Sequence, residues 1–97
     1  MKTKRTNANE ATAAGPAEAV RAAIRRHGEV LRHPEGYPER LVLRSLAYVY
    51  AAYGLGSRTA AEVLDAHLSR YPEARRPAEA TAMAMARGFQ RLADQAV

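Results

Sequence analysis

Alanine supplies 22 of the 97 residues, more than the 19 that Leu, Ile, Val, Met and Phe contribute together. Whatever core this chain builds must therefore be thin. Alanine faces let helices approach closely, but with roughly 80 residues sharing so few large apolar groups, the core is marginal for a small domain. Burying a second apolar face in a homodimer is a natural remedy, so monomer and homodimer stand equally open. The expected fold is all-α: a compact bundle of four helices at about 16–32, 38–53, 57–70 and 77–95, forming one helical domain over 16–97. A disordered, basic N-terminal tail at 1–15 precedes it.

The helix starts are well marked. Pro16, Pro38 and Pro77 each suit a first helical position, where a missing N–H costs nothing. Each is followed by an acid, Glu18, Glu39 or Glu79, that favours the positive end of the helix dipole. The string Pro-Ala-Glu-Ala recurs at 16–19 and 77–80, but the segments then diverge, so it reads as a shared start signal rather than a repeat. In the first helix, Val20, Ala23, Ile24, His27, Val30 and Leu31 share an inner face, while Glu18, Arg21, Arg25, Glu29 and Arg32 alternate in sign outside. Gly28 weakens this helix by about 1 kcal/mol relative to alanine, yet the apolar face continues across it.

A turn at 33–37 leads to the most apolar segment, whose arc of Leu41, Val42, Leu43, Leu46, Ala47, Val49, Tyr50 and Tyr53 is wide enough for a central helix. Gly54 is placed to stop it in a left-handed conformation, with Leu55 folding back on Tyr50. The third helix starts at Ser57 or Thr59, and Thr59-Ala60-Ala61-Glu62 has the form of a capping box. Ala60, Val63, Leu64, His67, Leu68 and Tyr71 make its inner face. In the last helix Ala82, Met85, Phe89, Leu92 and Ala96 form the stripe, flanked by Met83 and Ala86.

Several function classes are excluded. There is no apolar run of about 18 residues to span a membrane, and the first fifteen residues lack the apolar stretch of a secretory signal. These features point to the cytoplasm. Without cysteine there are no disulfides, thiol nucleophiles or thiolate-bound metals. No Gly-x-Ser-x-Gly elbow or Gly-rich phosphate loop is present, and no His-x-x-x-His or Glu-x-x-His pair could hold a metal on a helix. Hence no catalytic residues, no metal site and no cofactor are expected. His27 and His67 are expected to be hydrogen-bonded core side chains, and His33 to be exposed in a turn. The formal charge of +5 is spread thinly and is densest in the tail, which favours an anionic partner without defining a stripe.

Two binding classes remain. The run from Leu46 to Leu68, helix, glycine turn and Ser/Thr-led helix, resembles a helix-turn-helix unit. The resemblance implies double-stranded DNA as partner and a DNA-associated regulator as function. Arg58, Thr59, Ala61 and Glu62 would then face base edges, and Arg40, Arg44, Lys2, Lys4 and Arg5 would contact phosphate. Two features depart from the motif. Tyr50 stands four residues before Gly54, where a small side chain is wanted, and Glu62 and Asp65 follow with one early arginine. An ordinary αα-hairpin is the competing structure. The competing function is a protein–protein interaction module, such as a dimeric adaptor or a small inhibitor of a larger complex. Its contact residues would be Met83, Met85 and Tyr48, because methionines suit adaptable interfaces and the tyrosines at 48, 50 and 53 cannot all face one core.

Overall fold

The wide apolar arc of the second helix is where the rest of the fold meets. A computed structural model describes the backbone of residues 2–96 and the side chains of residues 15–96. Among the described residues four helices run in the order α1 (Lys2–Arg32), α2 (Glu39–Gly54), α3 (Arg58–Leu68) and α4 (Glu79–Gln95), with a 3-10 turn at Pro34–Gly36 between α1 and α2. No strand occurs among the described residues. Helix α2 packs on α1, α3 and α4, α1 also packs on α3, and α4 has its one extensive contact with α2.

The boundaries differ from expectation in instructive ways. Pro16 lies inside α1 rather than at its first position. The side chains of the expected tail, Lys2, Lys4 and Arg5 among them, lie outside the described residues. Pro38 is the N-cap of α2, one residue before the position predicted for it. Its extended ψ of 148° aims its carbonyl at the N–H groups of Leu41 and Val42, at 3.0 and 3.1 Å. Helix α4 likewise starts at Glu79, with Ala78 as N-cap and Pro77 ahead of it, and α3 ends at Leu68 rather than Arg70.

The α2–α3 turn carries the main correction. Gly54 is the last residue of α2, and the left-handed residue is Gly56, at φ 95°. Ser57 N–H donates to the Ala52 carbonyl (3.0 Å) and Gly56 N–H to that of Tyr53 (2.9 Å), the bond pair of a Schellman stop two residues later than predicted. Leu55 does not fold back on Tyr50; it is 78% exposed. Ser57, not Thr59, caps α3, its hydroxyl accepting from Ala60 N–H at 3.0 Å. The Thr59–Glu62 capping box is not used, because Thr59 is already inside the helix.

The core joins Ile24 and Leu31 of α1, Val49 and Tyr50 of α2, Ala60 and Leu64 of α3, and Ala82 and Ala86 of α4. On α4 the buried stripe is alanine, at 82, 86 and 93, and Leu92 is half exposed instead of on the inner stripe. Val20 and Tyr71, expected inside, are also about half exposed. Long side chains fasten the periphery. The Arg70 guanidinium donates to the Leu31 and Arg32 carbonyls, closing the C-terminus of α1 from the far end of α3. The Tyr53 hydroxyl donates to the Pro77 carbonyl at 2.6 Å, and Arg76 lies 5.6 Å over the Tyr53 ring while pairing with Asp65 at 3.1 Å.

Glycine at 54 has a steric reason. A Cβ there would meet the Met83 side chain at 2.6 Å and the Glu79 carbonyl at 3.0 Å. The methionine can swing away, but the carbonyl of the first turn of α4 cannot. Gly54→Ala should therefore destabilise by about 1–2 kcal/mol, overpacking outweighing the gain in helix propensity. Gly88→Ala, whose nearest obstacle is the Arg91 side chain at 3.9 Å, should instead stabilise by about 0.5–1 kcal/mol. Urea titrations of both variants check the pair, and equal shifts of the same sign would refute the steric argument.

Candidate functional site

Two helical stripes of identical spacing face each other across the α2–α4 seam. On α2 these are Arg44, Ala47, Tyr48 and Ala51; on α4 they are Met83, Ala86, Arg87 and Gln90. Both follow the i, i+3, i+4, i+7 steps of one helix face. The helices run antiparallel, since Gly54 meets the first turn of α4 while Tyr50 packs on Phe89 further along, with ring centroids 5.2 Å apart. Because the alanines are small, the seam sinks into a groove of about 510 Å³, closed at one side by His27 of α1.

His27 is the groove's polar anchor. Its Nδ1 is hydrogen-bonded to Ser45 Oγ at 2.9 Å, and Ser45 is fully buried. The imidazole also packs against the Tyr48 ring, centroids 4.5 Å apart and planes tilted by 30°. This contact turns Tyr48 onto the groove wall, where it remains about one-third exposed. Burial holds the His27 imidazole below its ordinary pKa, and the neighbouring Arg26 charge adds to the effect. The rim carries Arg44 and Arg87, and among the described residues no acid lines the groove.

The residues predicted for partner contact divide. Tyr48 and Met83 come together in this groove, whereas Met85 faces a separate shallow depression with Phe89 and Leu92. The residues predicted for DNA contact divide more widely. Arg58 is exposed at the first position of α3. Thr59 and Glu62 line a second groove, between α1 and α3, in company with Arg25 and Arg32. Arg40 is exposed on the first turn of α2, and Arg44 belongs to the α2–α4 groove.

What sequence reasoning missed was the pairing of His27 with Ser45, and Arg87 and Gln90 as groove residues. The signal was present in the matching stripes at 44–51 and 83–90, but it becomes readable only once the two helices are known to be neighbours. No helix among the described residues is long and apolar enough to cross a membrane. No protein-family model matches the chain, and comparisons with curated proteins and with solved structures return no match either.

The histidines give the fold a definite response to acid. His67, like His27, is held below its ordinary value, first by burial and then by Arg70, with the Leu31 carbonyl pulling the other way. A pKa depressed in the folded state means that the unfolded chain takes up protons first as pH falls. The stabilising contribution is therefore complete above about pH 6.5 and is lost as pH drops toward the folded-state values. Thermal melts should be level between pH 8 and 7 and fall steadily from pH 6.5 to 5. A His27→Gln/His67→Gln variant should show a shallower fall, and an unchanged slope in that variant would remove the histidines as its cause.

Proposed function

We propose that this chain is a non-catalytic interaction module whose α2–α4 groove receives an acidic, amphipathic helical segment of another protein. The observation that carries the reading is the groove itself: an apolar trough of Ala47, Tyr48, Ala51 and Met83 between two arginines, with no acid among the described residues of its lining. A helix laid in such a trough buries apolar anchors at i, i+4 and i+7 and pairs its acids with the rim. Tyr48 is the natural anchor, being an aromatic held in place by His27 and still accessible.

A second reading keeps one specific support. Counting from the left-handed Gly56, the residue four positions earlier is Ala52, the small side chain that a helix-turn-helix wants, rather than Tyr50. Double-stranded DNA is therefore the competing partner, read through Arg58 at the start of α3.

One titration separates the two. The isotope-labelled chain is mixed with an 18-residue peptide carrying Leu at helical spacing and Glu elsewhere, and in parallel with a mixed-sequence duplex. The groove reading expects saturable amide shifts at Tyr48, Ala51, Met83 and Gln90. It also expects about a tenfold loss of affinity in Tyr48→Ala, the size of a modest hot spot. Binding of duplex alone, steeply weakened by salt and lost in Arg58→Ala, would transfer the function to DNA.

A further inference from the structure

We propose that His27 is the third anion-recognising group of the α2–α4 groove, where its Nε2 meets a carboxylate of the bound helix and the ring takes up a proton as the two pair. This role rests on the groove being the seat of an acidic helix, and adds to that reading a recognition residue and a response to pH.

Two contacts set the ring in place. Its Nδ1 edge is turned inward to Ser45, which is fully buried, with Nδ1 and Oγ 2.9 Å apart. The opposite edge, carrying Nε2, is therefore the one turned toward the groove that His27 lines. Nε2 has no hydrogen-bond partner among the described residues and, unlike His67 Nδ1, is not shut off from solvent. Tyr48 packs on one face of the ring, centroids 4.5 Å apart, so Nε2 stands beside the aromatic that serves as anchor.

Ser45 can hold the ring with or without a proton on Nδ1. Its hydroxyl donates to a bare Nδ1 or, rotated, accepts from Nδ1–H. An Nε2–H thus faces the groove both in one neutral tautomer and in the imidazolium, and the charged donor makes the stronger bond to a carboxylate. A protonated ring also gains from the Tyr48 ring against it.

What the free groove lacks is a counter-charge. The charged and titratable groups around the ring are Arg26 on its own helix, Arg44 and Tyr48 on α2, and Arg87 on α4, and no acid stands with them among the described residues. Burial, helped by Arg26, keeps the ring neutral in the free protein at pH 7. A glutamate laid against Nε2 reverses that balance, because an opposite charge in contact favours the protonated form. The bound ring then keeps its proton to a higher pH than the free one. Affinity consequently rises as pH falls between the two values and levels off below the lower.

The test titrates the Leu/Glu peptide into the isotope-labelled chain across the neutral range at constant ionic strength, with a Leu/Gln peptide beside it and the histidine ring signals followed throughout. At saturation the His27 midpoint should move up by about one pH unit, the lower end of what a contacting opposite charge does, while His33 and His67 stay in place. Affinity for the Leu/Glu peptide should rise about fivefold from about pH 7.5 to 6, and the Leu/Gln peptide should show neither change. His27→Gln, whose amide can still bond Ser45 but does not titrate, should bind with a flat pH profile. A His27 midpoint unmoved by saturating peptide, the same response to Leu/Gln, or undiminished pH dependence in His27→Gln would overturn the proposal and leave the groove as a docking site. No saturable shift at any pH would withdraw both.

Discussion

The close approach of α4 to α2 is the constraint on which the rest of this structure depends. Ala82 and Ala86 are buried at the contact, and Gly54 lies beneath the first turn of α4, where any side chain would strike a carbonyl. Large side chains would hold the helices apart and fill the seam. Small ones lower the backbone into contact and leave the longer neighbours, Tyr48, Met83, Arg44 and Arg87, standing as walls. The same economy of apolar bulk that makes the core thin thus creates the groove. A thin core and a concave surface are two results of one composition.

The periphery compensates for what the core lacks through directional contacts. Arg70 satisfies carbonyls at the end of α1, Tyr53 holds the connection before α4 at Pro77, and Ser57 serves at once as the last link of one helix stop and the cap of the next helix. Each is a hydrogen bond whose loss would leave a backbone group unmet, and such losses cost more than the bond contributes on average. Arg21 and Glu18 on the exposed face of α1 are different. They pair at i, i+3, in water, where such pairs count for little.

Much of the fold was legible because it is written in local chemistry. The four helices, the central place of α2 and the inward turn of Ile24, Leu31, Val49 and Leu64 follow from spacing alone. Local signals misled where two residues of the same kind compete. Gly54 and Gly56 both suit a helix stop, and only the arrival of α4 shows that one is needed for its lack of a side chain and the other for its positive φ. Ser57 and Thr59 compete in the same way for one cap. The α4 stripe was read too large because hydrophobicity favours Leu92, whereas the fit against α2 favours alanine. Site residues were the least legible. Tyr48 and Met83 were identified singly, but their meeting, and the arginines beside them, depend on which helices become neighbours.

The single neighbour of α4 has a consequence for how the molecule fluctuates. Helices α1, α2 and α3 contact one another in all three combinations, whereas α4 rests extensively on α2 alone. That one contact is the most extensive in the fold, so α4 is held firmly, but along a single face. One wall of the groove thus belongs to a helix enclosed by its neighbours and the other to a helix whose position α2 alone sets. A small tilt of α4 on α2 would change the width of the groove without disturbing the contacts of α1 with α3, so the trough can adjust to what lies in it while the rest of the fold keeps its shape.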